Sequence, residues 1–362
     1  GSVISNNGLV AVTYDNSSIG EVKIFEKDSS GNWPSTASAT YTGPSISVPT
    51  WTQLGSDIDG EASDDNSGRS VSLSSDGTRV AIGATRNDGN GTNSGHVRVY
   101  DWNSGTSQWN KVGLDIDGEA ARDEFGNSVS LSSDGTRVAI GATRNDGNGT
   151  NSGHVRVYDW NSGTSQWNKV GLDIDGEAAY DQSGWSVSMS SDGTRVAIGA
   201  PMSAAGHVRV YEESSGTWTK VGSDIDGEAL YDFSGAVVSM SSDGTRVAIG
   251  AEYNGSAAGH VRVFYDNSGT WTQLGADIDG EAVNDYSGQS VSMSSDGTRV
   301  AIGASGNDGT GTDAGHVRVY DWNSGTSQWN QMGDDIDGEA VGDRSGCSVS
   351  MSSDGTRVAI GA

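Results

Sequence analysis

The sequence predicts an all-β chain folded as a β-propeller, a ring of four-stranded antiparallel blades. Three observations carry that reading. One motif recurs through nearly all of the 362 residues. Each copy divides into four short strand-like segments. The composition supplies turns rather than helices, with 54 glycines and only 4 prolines, as expected of many short strands joined by tight turns.

The string Ser-Ser-Asp-Gly-Thr-Arg-Val-Ala-Ile-Gly-Ala occurs six times. Its Asp-Gly glycines are Gly77, Gly135, Gly193, Gly244, Gly297 and Gly355, spaced by 58, 58, 51, 53 and 58 residues. A worn seventh copy opens the chain at Ile4-Ser5-Asn6-Asn7-Gly8-Leu9-Val10-Ala11-Val12. Periods of this length belong to propellers and solenoids. A β-solenoid usually has much shorter coils, and closing a ring protects most sheet edges.

In the unit from Ser70 to Gly126, Ser70-Val71-Ser72-Leu73 alternates small polar and apolar residues, the pattern of a half-buried strand, before the tight-turn signal Ser75-Asp76-Gly77. Val80-Ala81-Ile82-Gly83-Ala84 is a short apolar run of partly small residues, suited to a strand buried on both faces between closely packed blades. These are strands A and B. The loop Asn87-Asp88-Gly89-Asn90-Gly91 leads to strand C, Gly95-His96-Val97-Arg98-Val99-Tyr100. There Val97 and Val99 face one way and His96, Arg98 and Tyr100 the other. Trp109-Asn110-Lys111-Val112-Gly113 alternates again as strand D and runs into an acidic connector, Asp115-Ile116-Asp117-Gly118-Glu119.

The phrase Ser-Gly-x-Ser-Val-Ser-x-Ser-Ser-Asp-Gly-x-x-Val-Ala-Ile-Gly-Ala, followed by Gly-His-Val-Arg-Val-Tyr, resembles the FG-GAP repeat of integrin α-subunit-like propellers. Phe125-Gly126 and Gly199-Ala200-Pro201 keep the two pieces for which the motif is named, whereas most copies have Ser-Gly and lack the proline. The resemblance covers nearly the whole chain. It implies a propeller, with seven blades favoured, and a role in adhesion.

The ring is expected to be a single domain over residues 1–362, with six full repeats and a partial repeat at 347–362. Residues 34–50, rich in Ser, Thr and Pro, read as an insertion between strands C and D of the first blade. Two closures are open. In a seven-bladed ring the first residues begin their own blade. In a six-bladed ring, outer strands from about 20 to 55 complete the blade begun by the C-terminal strands, through terminal-strand closure.

A formal charge of −27 makes nucleic acid and anionic membrane surfaces poor partners and cations good ones. With one cysteine, Cys347, no intramolecular disulfide or Cys-cluster zinc site forms. No apolar stretch of about 18 residues suggests membrane insertion, and Gly1-Ser2-Val3-Ile4 has no signal-peptide layout.

Alternation of an up-and-down blade puts the B–C loops and D–A connectors on one strongly negative face. The candidate metal ligands are the acids of its six connectors: Asp57, Asp59, Glu61 and Asp65; Asp115, Asp117, Glu119 and Asp123; Asp173, Asp175, Glu177 and Asp181; Asp224, Asp226, Glu228 and Asp232; Asp277, Asp279, Glu281 and Asp285; Asp335, Asp337, Glu339 and Asp343. Carboxylates at alternating positions converge on a hard cation if the loop curls, and calcium is the cation such a set would take. Equally, these acids cap turns and keep the surface soluble. His96, His154, His207, His260 and His316 occupy one place in the repeat and read as structural. The tryptophans of strand D read as packing between blades.

No unique acid, base and nucleophile set stands out. The expected function is therefore a non-enzymatic extracellular or cell-surface binding and adhesion module for a protein or glycan ligand, with calcium on the acidic face. Two alternatives stand beside it: a structural segment of a larger repetitive surface protein, and a polysaccharide-acting enzyme using carboxylates of that face.

Overall fold

The computed structural model describes residues 52–362 and the strands Ser2–Ile4, Val10–Val12 and Val22–Glu26. The insertion expected at 34–50 lies outside the described residues. The described strands form seven sheets, and the chain is a β-propeller of repeated antiparallel blades.

Five blades are built alike. In blade I, Ser67–Leu73 (A), Arg79–Ala84 (B), His96–Asn103 (C) and Gln108–Lys111 (D) pair antiparallel in that order. Blades II to V begin at Phe125, Ser186, Val237 and Ser290. Each carries one strand more than the sequence pattern suggests. Ile116–Asp117 of the connector turns back and pairs with the start of strand C, His96 opposite Asp117 and Val97 opposite Ile116. The cause is the lone apolar residue of Asp-Ile-Asp: Ile116 is buried and fastens an otherwise polar connector to its sheet. The same pairing recurs at Ile174, Ile225, Ile278 and Ile336.

The core lies between blades. Ala81, Val97 and Val99 of blade I pack against Val129, Leu131, Val138 and Ile140 of blade II, which is how strands too short to bury themselves remove apolar surface from water. Close approach depends on glycine. A Cβ on Gly141 would lie 2.1 Å from the Gly184 carbonyl oxygen of the next blade, and the pairs Gly83–Gly126, Gly199–Gly235, Gly250–Gly288 and Gly303–Gly346 repeat that contact. Ser128 Oγ donates to the same Gly184 oxygen at 2.7 Å.

The A–B turns form a second belt of main-chain bonds, each blade to the next. Ser75 N–H donates to Ser133 O, Ser133 to Ser191, Ser191 to Ser242 and Ser242 to Ser295, all at 2.8 Å. Tryptophans tie the outer strands: the Trp167 indole N–H donates to Val112 O of the preceding blade at 3.0 Å.

Both ends of the chain enter the closure. Val22–Glu26 pairs antiparallel with Arg357–Gly361 and completes a sheet with Ser348–Met351. Ser2–Ile4 pairs with Val10–Val12 and sits between Ser348–Met351 and Ser67–Leu73, so the inner strands run round without a gap. The third strand in the chain thus joins the C-terminal sheet, as terminal-strand closure requires, while the first two form a sheet of their own.

Placing a methyl group at Gly141 forces backbone apart. Gly141→Ala is expected to lower stability by about 3 kcal/mol, whereas Gly163→Ala, in the C–D turn with only the Asn161 side chain nearby, should change it little. Urea denaturation of the two variants checks this.

Candidate functional site

The B–C loops and D–A connectors share one rim and are bonded together there. Gly118 N–H donates to Gly95 O at 2.9 Å and Arg122 N–H to Thr92 O at 2.8 Å. The Asn90 side-chain amide donates to Gly118 O and Glu119 O, both at 2.9 Å. The B–C loops of blades I, II and V are also held by the connector ahead of them, through Arg86 N–H to Asp65 O at 3.1 Å, Arg144 to Asp123 at 3.2 Å and Gly306 to Asp285 at 3.1 Å.

The four acids of a connector have separate fates. The last caps a turn: Asp123 is buried and accepts from Ala120 N–H at 3.1 Å and Asn145 Nδ2 at 3.1 Å. Asp65, Asp181, Asp232, Asp285 and Asp343 accept from Ala62, Ala178, Ala229, Ala282 and Ala340 in the same way. The second acid, as in Asp117, Asp175, Asp226, Asp279 and Asp337, lies in the two-residue strand. Asp59 holds that position ahead of blade I, where no strand forms.

The first and third acids come together, but from different connectors. The third reaches forward: Glu119 ion-pairs with Arg156 of blade II, and Glu61 with Arg98 of blade I. The first stays with its own blade. Asp115 pairs with Arg98 at 3.0 Å and Lys111 at 2.9 Å, while Gln53 donates to Asp57 at 2.7 Å. Between them stands the histidine that opens strand C.

Five clusters result: Glu61–His96–Asp115, Glu119–His154–Asp173, Glu177–His207–Asp224, Glu228–His260–Asp277 and Glu281–His316–Asp335, each offering ligand atoms within 4.8 Å of one another. They could hold a metal ion. Glu339 and Asp335 belong to the last connector, and Glu339 enters no such cluster among the described residues.

Burial makes a charged imidazole costly and outweighs the nearby carboxylates. All five histidines therefore titrate below the ordinary 6.5, and His316 is pushed down to about 4 by burial and by Arg318. Each is a neutral donor at pH 7. The Asp115, Asp173 and Asp224 carboxyls are also lowered, but for the opposite reason. Burial would raise them, but hydrogen bonds and charge from Lys111, Lys169 and Lys220, with the neighbouring arginines, hold them below the usual range.

One acid breaks the repeat. Glu252 stands where the other blades have Thr85, Thr143, Pro201 and Ser305. It makes no hydrogen bond or ion pair among the described residues, and burial alone raises its pKa. Beside it, Tyr253 stacks edge-on against Phe233 at 4.9 Å and against Tyr286 at 5.7 Å. Glu252 follows directly on Ala251, which pairs with His260 of the blade IV cluster.

The FG-GAP repeat family model matches residues 57–100 and 115–158. These units are FG-GAP repeats. A comparison with curated protein sequences finds no match. Among solved structures the chain is similar to the periplasmic gluconolactonase of Pseudomonas aeruginosa, at 14% identity and a TM-score of 0.53, over 75% of this chain and 72% of that one. It is also similar to Kuenenia stuttgartiensis hydrazine synthase, at 14% identity and a TM-score of 0.51, over 79% and 78%. A Lactobacillus plantarum protein shares 12% identity, with a TM-score of 0.53, over 88% and 82%.

These likenesses concern the fold, yet they correct the expectation of a non-enzymatic adhesion module. Structures with this fold include a protein named as a lactonase and one named as a synthase, so the fold itself is no ground for excluding catalysis. One acid does depart from the sixfold pattern. Glu252 was legible as the lone acid directly after an Ala-Ile-Gly-Ala run. The clusters were legible only through the register that sets His96 opposite Asp117.

Five buried neutral histidines have a consequence for stability. The unfolded chain takes up their protons near pH 6.5 and the folded chain only lower, so this contribution is complete above 6.5 and is lost as pH falls toward 4. In buffer containing a chelator, the melting temperature should begin to fall below about pH 6.5. A flat profile between pH 7 and 5 would contradict neutral burial.

Proposed function

We propose that this propeller is a hydrolase of carbohydrate substrates, working on the acidic rim at blade IV. The observation that carries the reading is Glu252, an unpaired and partly buried carboxyl beside the Phe233–Tyr253–Tyr286 aromatic group. A carboxyl whose pKa is raised by desolvation remains protonated long enough to serve as general acid toward a glycosidic or ester oxygen. Glu228 and Asp277 of the neighbouring cluster supply the second carboxylate that glycoside hydrolysis requires.

The surroundings suit a sugar. Tyr253 is 44% exposed and offers a ring face, and aromatic rings pair an apolar surface with a polar tip. On the same rim Tyr180 and Tyr231, 60% and 75% exposed, offer further aromatic rings. The likeness to a gluconolactonase adds a sugar-derived ester as a second substrate to try. An extracellular or cell-surface setting, where polysaccharide is met, belongs to the same proposal.

The cation belongs to it as well. One imidazole and two carboxylates suit first-row divalent metals better than calcium, which takes oxygen ligands. Calcium, expected from the connectors alone, should therefore bind the rim weakly.

The test uses soluble polysaccharides and gluconolactone, followed by reducing-sugar release and by acid release. One of these substrates should be turned over, with the rate falling as pH rises through the pKa of Glu252. Glu252→Gln should lower kcat by about 10²- to 10⁴-fold, and Tyr253→Ala should chiefly raise KM. Full activity in Glu252→Gln, or no turnover of any substrate by the unaltered chain, sinks the proposal.

A further inference from the structure

The five Glu–His–Asp clusters match in residue type but differ in the cations the protein itself supplies. In blades I and II the arginine of strand C grips the aspartate: Arg98 Nε lies 3.0 Å from Asp115 and Arg156 Nε 3.0 Å from Asp173. Lys111 and Lys169 add a second positive charge at 2.9 and 2.7 Å. In blade III, Lys220 still holds Asp224 at 2.7 Å. A metal ion brought to these clusters would have to displace a cation already in place.

Blade V is different. The lysine position is Gln331, which donates to Asp335 at 2.6 Å and brings no charge. Arg318 has left the aspartate, its Nη2 donating to the Asp279 carbonyl at 2.7 Å, while its Nη1 stays 3.5 Å from Glu281, the one protein cation a metal ion here would have to displace. No cation touches Asp335 among the described residues. Asp285 also faces His316.

The second observation is His316 itself. It is 1% exposed, and both ring nitrogens lack a hydrogen-bond partner. Its Nδ1 is aimed into the cluster, 3.6 Å from Asp335. A buried polar atom without a partner is costly, and this one, directed between two carboxylates, is free to coordinate a cation. Blade IV shares the glutamine, as Gln273, but there only Nε2 of His260 is orphaned.

We propose that Glu281, His316 and Asp335 form a binding site for a first-row divalent cation of the zinc type. Three protein ligands of this kind leave one coordination position open for water or substrate. The choice of a first-row cation deepens the reading given above, but the site does not involve Glu252, and its metal titration is decided separately from any hydrolysis at blade IV.

The experiment is calorimetric titration of the full chain with zinc chloride after chelator treatment. The unaltered protein should take up one tight equivalent. Glu281→Gln and Asp335→Asn should each weaken it by at least tenfold, while Glu119→Gln, in the neutralised blade II cluster, should leave it unchanged. The Glu281 side chain is 49% exposed, so its replacement is compatible with folding, and metal-free melting curves confirm that each variant is folded. Absence of zinc binding, several equal sites, unaltered binding by Glu281→Gln, or calcium binding as tight as zinc would each overturn the assignment.

Discussion

The ring depends on main chain meeting main chain between blades. The glycine near the end of strand B in one blade lies against the carbonyl of the glycine that opens strand A in the next, at a distance no side chain can enter. The serine of strand A bonds that same carbonyl, as Ser70 does to Gly126 O at 2.8 Å and Ser186 to Gly235 O at 2.8 Å. This contact sets the spacing of the inner strands. With it set, the valines and isoleucines of strands B and C close-pack across each boundary. The repetition follows from this requirement: the boundaries between blades I to V need the same two glycines, and the serine accompanies them except in blade IV, where Val237 stands in its place.

A frame specified at its inner strands leaves the rim free to vary. The connector and the B–C loop are held by their own main-chain bonds and by a buried capping aspartate, so their remaining positions carry little structural burden. The differences between blades collect there. Glu252 and Tyr253 replace the Thr-Arg pair of blades I and II, and Gln273 and Gln331 replace lysines. The first change introduces a carboxyl with no hydrogen bond or ion pair among the described residues, and the second exchanges a charged partner of the aspartate for a neutral one.

Much of the blade was legible because its signals are local. Alternation in Ser70–Leu73, the Asp-Gly turn and the small apolar run Val80–Ala84 each specify an element within a few residues, and up-and-down alternation then puts loops and connectors on one face. The short strand in Asp-Ile-Asp was not legible, since a single buried isoleucine gives no periodicity. The pairing of Val22–Glu26 with the C-terminal strand joins opposite ends of the chain, so only ring closure reveals it. The clusters escaped for a related reason: each takes its glutamate from one connector, its histidine from strand C and its aspartate from the next connector. Reading four acids along one connector put together residues that the fold separates.

The central claim is that the repeat supplies the frame and its exceptions supply the chemistry. It is tested most directly by restoring the repeat at blade IV with the double substitution Glu252→Thr and Tyr253→Arg, the pair found at Thr85-Arg86 and Thr143-Arg144, and comparing melting temperature with hydrolysis of the best carbohydrate substrate. The account predicts an unchanged melting temperature and lost hydrolysis. Hydrolysis surviving in the folded, repeat-restored protein would contradict it.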